Sequence, residues 1–306
     1  MIFAIPPFHA YSRFVALVGS LLVAGNLLAQ VYVSDDGNDV IYQIATNGST
    51  ATYASGVGVP EGLAFDSSGN LYVTNGSSSL LKVTPGGAVT TLATGVGNQA
   101  VAVGPDGNIY VANGSNTISQ VTPGRVVTTF ATGFAEVYGL TFAANGNLYA
   151  TDGNAGAGIL YQITPGGTVT SFATGVGYAD GLTVDGTGNF YVSDLTGGRI
   201  FEVSSGGAVS TFLSELPHGP RGLSFDQGSG LLFYTAGYSS YGGAALYDAN
   251  ALGQTTFVVG SLTDANFTAL KTAAIPEPAT YVAVLGLASF GLVLLRRRSG
   301  DLSSVR

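Results

Sequence analysis

Apolar and polar positions alternate along most of the chain in short runs, the period of strands with one buried face. Clusters of Gly, Asn, Asp, Ser and Pro separate the runs and supply turns. The clearest stretch predicts four strands, Gly62–Phe65, Leu71–Thr74, Leu80–Val83 and Val89–Ala93. Their turns fall at Ser68-Gly69-Asn70, Asn75-Gly76 and Pro85-Gly86-Gly87. The phrase from Glu61 to Asn75 returns at Gln99, Tyr138, Asp180 and, more altered, Arg221. A unit of about 40 residues built from four short strands cannot cover both faces of its own sheet, so copies must stack. The fold class expected is all-β, a propeller whose neighbouring blades bury one another.

Counting copies gives the blade number and the way the ring closes. The second strand of the unit begins at Val31, Leu71, Ile109, Leu148, Phe190 and Leu231, which makes six. The first strand begins near Glu61, Gln99, Tyr138, Asp180 and Arg221, which makes only five. The segment Asn266–Thr272 has the length and pattern of the missing one. A six-bladed β-propeller over residues 30–273 is therefore expected, closed by a C-terminal strand that joins the first blade.

Both ends carry apolar stretches of a different kind. Residues 14–28 follow Arg13 and precede Ala29, the order of a secretory signal peptide covering 1–29, although an uncleaved anchor shares these features. At the other end Pro276-Glu277-Pro278 is followed by the apolar run 281–295 and by Arg296-Arg297-Arg298. Such a run can cross a bilayer as a transmembrane helix, with the arginines held in the cytoplasm. Motif, run and basic cluster together resemble the PEP-CTERM sorting signal of Gram-negative bacteria that make extracellular polysaccharide. The resemblance implies that residues 274–306 anchor the chain in the inner membrane until exosortase, a membrane protease, processes them. The expected location is the periplasm, the cell surface or the extracellular space.

Composition narrows the chemistry. The 306 residues include no cysteine, so disulfides, thiolate nucleophiles and cysteine metal sites are excluded. Between residues 30 and 275 the cations are Lys82, Arg125, Arg199, Arg221 and Lys271, against sixteen carboxylates. So acidic a surface repels phosphate backbones and argues against nucleic acid.

Candidate functional residues come from the positions that fail to repeat. Gly-Leu recurs in the first strand while the residue before it changes: Glu61, Gln99, Tyr138, Asp180, Arg221 and, in the closing strand, Asp264 or Asn266. These six are expected to face one another around the central channel. Glu61 and Asp180, three blades apart, offer two carboxylates, and Asn98 or Gln99 an amide oxygen, for a hard cation such as Ca²⁺ or Mg²⁺. Pairing with Arg221 is the structural alternative. His218, in the loop before Arg221, is the one histidine outside the signal peptide and the candidate general base. No nucleophile-elbow motif accompanies it. The acids that recur in every blade, Asp35, Asp152 and Asp194 among them, read as turn caps. The tyrosines of the Leu-Tyr-Val strands read as packing between blades. The irregular loop Tyr234–Tyr241 offers tyrosines that could stack on sugar rings.

The repeated phrase resembles the NHL repeat and the gluconolactonase and virginiamycin-lyase-like six-bladed propellers, over residues 31–273. The gluconolactonase resemblance implies a divalent metal on Glu61, Asn98 and Asp180. Leu63 and Tyr138 depart from the proline and asparagine of that pattern. The leading expectation is an exported, surface-sorted binding or structural module of the cell envelope or the polysaccharide matrix. A metal-dependent lactonase assisted by His218 or Arg221 is the alternative, and a lyase using His218 comes third.

Overall fold

A computed structural model of the chain describes residues 30–45, 47–153, 158–216, 219–237 and 243–271. These form twenty-four strands in six antiparallel sheets of four. In blades 2 to 6 the strands, named A to D from the axis outward, follow chain order. Their A strands are Pro60–Phe65, Val101–Val103, Val137–Phe142, Ala179–Val184 and Pro220–Asp226. Blade 1 takes strands B to D from Gln30–Asp35, Val40–Ile44 and Thr50–Ser55, and its A strand, Ala265–Lys271, from the far end of the fold. Gln30 pairs with Lys271 and Asp35 with Ala265, so the ring closes as the strand count required.

The A strands of blades 1, 2, 4, 5 and 6 carry a bulge just where the sequence varies. Pro60 pairs with Asn75 and Leu63 with Val73, leaving Glu61 and Gly62 opposite Thr74 alone. Tyr138-Gly139, Asp180-Gly181 and Arg221-Gly222 repeat this arrangement. A bulge bends the strand and re-aims a side chain, here toward the axis. It also frees the Gly62 N–H, which donates to the Thr74 hydroxyl at 2.9 Å. That hydroxyl in turn donates to the Gln99 carbonyl of the next blade. Ser34, Thr151, Ser193 and Thr235 make the same bridge to the carbonyls of Glu61, Asp180, Arg221 and Asn266. Each bridge is worth about 1 kcal/mol net. The glycines are needed because the next backbone comes so close: a β-carbon at Gly62 or Gly222 would lie 2.6 Å from the Gln99 or Asn266 carbonyl oxygen. Blade 3 has Ala112 in place of the hydroxyl, and its Ala100 N–H reaches the Tyr138 carbonyl directly at 3.1 Å.

The recurring tyrosines do pack between blades. The ring of Tyr32 lies 4.8 Å from those of Tyr53 and Phe65, Tyr110 meets Phe142 at 5.1 Å, and Tyr191 stacks on Phe225. Blade 6 departs from the expected register by one residue. Asp226 pairs with Leu231, extending the hairpin, so Leu232, not Leu231, occupies the place of Leu71 and Phe233 that of Tyr72. The cause is its turn, where Gly230 donates to Asp226, whereas Gly69 and Gly188 close the tighter three-residue turn to Asp66 and Asp185.

Candidate functional site

Below the bulges, at mid-height, the axis is filled. Leu63, Val101, Leu140, Leu182, Leu223 and Phe267 surround a cavity of about 50 Å³. Phe267 stands where four blades have glycine and blade 3 has Ala100, and it is 8% exposed. The central channel is thus a shallow mouth over an apolar floor.

On that floor stand the six variable residues, and the hydroxyl bridges fix which they are. Thr235 bonds the Asn266 carbonyl as Thr74 bonds that of Gln99, so the sixth member is Asn266 and not Asp264. Arg221 donates to the Asn266 side chain, whose amide donates to Asp36 at 3.1 Å. Asp180 is 5% exposed. Burial raises its carboxyl above the usual range, against the pull of Arg221. Burial pushes Glu61 up to about 7, Arg221 opposing and Asp36, Asp180 and Asp264 adding to the rise. Asp180 thus acts on Glu61 within one mouth. Asp36 and Asp264 are likewise raised, mainly by burial, with Asp35 adding to the rise at both and Asp36 to that at Asp264. One oxygen of each, Oδ1, is buried without a hydrogen-bond partner. Buried polar atoms left unmatched in this way are uncommon and point to a missing donor.

A second polar group flanks the first. The Tyr138 and Tyr178 hydroxyls lie 2.9 Å apart, and both reach Glu136, at 3.4 and 3.1 Å. Burial is the main cause that raises both phenols. Sequence reasoning passed over Glu136, Tyr178, Asp36 and the role of Asp264. The signal was present for three of these: Glu136, Tyr178 and Asp264 each stand two residues before a ring member, in the segment that leads into the A strand. Val59 holds the same place in blade 2 with φ of 56°, rare for a β-branched residue. Asp39 accepts from the N–H groups of Gly58 and Val59 and so holds this turn.

Asn98 and Gln99 both lie against Gly114. Among the described residues no three His, Cys, Asp or Glu side chains are grouped to hold a metal ion. His218 lies outside the described residues, as do Pro276, Glu277, Pro278, Arg296, Arg297, Arg298, the apolar run 281–295 and the leader 1–29. Of the tyrosine loop, residues 238–241 are also outside them, while Tyr234 is 2% exposed and stacks on Tyr247 within blade 6. Tyr234 is packing and not a sugar platform. Among the described residues no helix is long and apolar enough to cross a membrane. The recurring acids are turn caps, as expected. Asp152 accepts from the N–H groups of Ala135 and Glu136, and Asp194 from those of Tyr178 and Gly197.

Comparison with known proteins bears on the fold and on the tail. No curated protein matches the chain in sequence. Among solved structures, a protein of unknown function from Bacteroides caccae superposes with a TM-score of 0.62 at 14% identity, over 80% of this chain and 100% of its own. A streptogramin B lyase gives 0.60 at 14%, over 74% of this chain and 78% of its own. A gluconolactonase from Xanthomonas campestris gives 0.60 at 18%, over 68% and 79%. At such identities the likeness is one of fold. Residues 274–298 match the PEP-CTERM protein-sorting motif, which implies export, surface sorting in a Gram-negative bacterium and processing by exosortase. The chain is a six-bladed β-propeller that carries a PEP-CTERM sorting signal.

Proposed function

We propose that this protein is a binding module of the cell envelope or the extracellular polysaccharide matrix, and that its ligand seats in the mouth. The observation that carries this reading is the mouth itself. Dissimilar polar side chains stand on an otherwise repetitive scaffold over a closed floor, with two buried carboxylate oxygens lacking donors. A ligand rich in hydroxyl groups, such as a polysaccharide segment, would accept from Arg221 and exchange hydrogen bonds with Gln99 and Tyr138. Calorimetric titration of the tail-processed protein with polysaccharide from the producing cells tests this. Saturable binding that Tyr138→Phe and Asp180→Asn weaken at least about tenfold, or ~1.4 kcal/mol, is expected. Equal binding by wild type and both variants would remove the mouth from the interaction.

One observation favours a second reading, a lactonase-like hydrolase. The Glu61 and Asp180 carboxyls share one mouth and Asp180 helps to raise Glu61, a crowding of acids that a bound cation would relieve. The gluconolactonase and lyase neighbours share the architecture, which hosts hydrolases and binding modules alike. In this reading Glu61, Asn98 and Asp180 would hold Ca²⁺ or Mg²⁺ through hard oxygen donors, and Arg221 would steady an anionic intermediate. Stoichiometric metal in the purified protein, with lactone hydrolysis abolished in Glu61→Gln, would favour the hydrolase over the binding module.

A further inference from the structure

We infer that the propeller stands on the membrane by its base, the face opposite the mouth, for as long as the tail is uncleaved, so that the mouth opens away from the bilayer. The inference rests on the sorting reading of residues 274–298 and is independent of what the mouth binds.

The closing strand sets the geometry. It enters at the mouth, where Asn266 belongs to the ring, and runs down the axis to Lys271. Lys271 lies at the base, beside Gly69 in the A–B turn of blade 2, with its ammonium over Phe65. Gln30, the first described residue, pairs with Lys271, so both apolar ends of the chain leave from this one face. Only nine residues separate Lys271 from Tyr281, where the apolar run begins. Fully extended, that connection spans about 35 Å. To bring the mouth toward the membrane it would first have to cross the base from the innermost to the outermost strand, about 15 Å at the spacing of paired strands. It would then climb the side of a blade, about 20 Å for a six-residue strand. That path uses the whole tether and leaves none to reach the bilayer.

Charge acts in the same direction. Of the sixteen carboxylates between residues 30 and 275, ten lie in the mouth-side loops and strand ends, with Arg199 and Arg221. Six lie toward the base, with Lys82, Arg125 and Lys271. An anionic lipid surface therefore repels the mouth more strongly than the base, within a Debye length of about 8 Å at physiological salt. The base is thus the surface that faces the membrane protease, and the mouth is free before and after processing.

The chain contains no cysteine, so single thiols can be placed without background. Ser68→Cys puts one on the exposed A–B turn of the base, and Ser77→Cys puts one on the exposed B–C turn of the mouth. Full-length protein with each thiol carrying the same fluorophore is reconstituted into vesicles that contain a headgroup-labelled acceptor lipid. Equal melting temperatures confirm that both variants fold, and flotation confirms that both are vesicle-bound. Energy transfer from position 68 at least about twofold above that from position 77 is expected. Equal transfer, or stronger transfer from 77, overturns the inference. Failure of the full-length protein to float with the vesicles overturns it through the anchor.

Discussion

The Ser193 hydroxyl stands between two blades, 2.7 Å from the Gly181 N–H it accepts from and 2.8 Å from the Arg221 carbonyl it donates to. Gly181 is packed so closely on Arg221 that a β-carbon there would overlap the carbonyl oxygen. Ser193→Ala is expected to cost about 1–3 kcal/mol, because two buried backbone groups lose their partner. Gly181→Ala should cost more, since backbone and not a flexible side chain must move. Urea denaturation measures both. Ala112→Ser is the control: Ala100 already bonds Tyr138 directly, so no comparable gain should follow.

The same bridge explains why the fold was legible in the sequence and the site only partly so. Gly-Leu and the strand-B Ser or Thr recur because each blade repeats one backbone contact, and period-two alternation exposes such repetition. The bulge is invisible to a strict period of two, yet it is what turns Glu61, Tyr138, Asp180 and Arg221 to the axis. Glu136 and Tyr178 were missed because they precede the strands that carry the repeat, and Asp264 was weighed only as an alternative to Asn266. Asp36 comes from a B–C turn, and only closure of the ring brings it beside Asn266. The extra pair Asp226 with Leu231 escaped for a similar reason, since turn length and not strand pattern sets that register.

Arg125 offers a stabilising change with three internal controls. It has φ of 64° at the C–D turn position where Gly87, Gly167 and Gly207 have φ of 80°, 83° and 86°. A residue with a side chain in the left-handed region costs about 1–2 kcal/mol, which the greater unfolded-state freedom of glycine offsets in part. Arg125→Gly should therefore raise stability, by at most about 1 kcal/mol on this balance. A lower denaturation midpoint in the variant would refute the assignment of strain to this turn.

Ring closure is the feature on which the whole fold depends. Asp35 accepts hydrogen bonds from the N–H groups of Thr263 and Asp264, at 2.8 and 3.2 Å, and from Asn38. Deleting residues 264–273 removes the A strand of blade 1 and bares the axis, and no cooperative thermal transition should remain. Asp35→Ala keeps the strand but strips its cap, and a loss of about 2–3 kcal/mol is expected, since each hydrogen bond to a charged group is worth about 1.5–3 kcal/mol. A soluble truncation that melts cooperatively would show that five complete blades suffice.

The mouth should make stability depend on pH in the sense opposite to that of ordinary paired carboxylates. Folded Glu61 holds its proton up to about 7, whereas the unfolded side chain releases it near 4.5. Between those values the folded chain binds more protons than the unfolded one, so this contribution is complete below about 4.5 and is lost as pH rises through 7. Its size is on the order of 3 kcal/mol, and Asp180, Asp36 and Asp264 act in the same direction. Asp66 and Asp106 oppose it, because hydrogen bonds hold their carboxyls below the usual range and their contribution disappears in stronger acid. Maximum thermal stability is therefore expected near pH 5, with a melting temperature several degrees lower at pH 8. Glu61→Gln keeps the shape without the titration, so it should raise the melting temperature at pH 8 and flatten the profile between 5 and 8. If the variant keeps the full slope of the wild type, Glu61 is not the group that titrates.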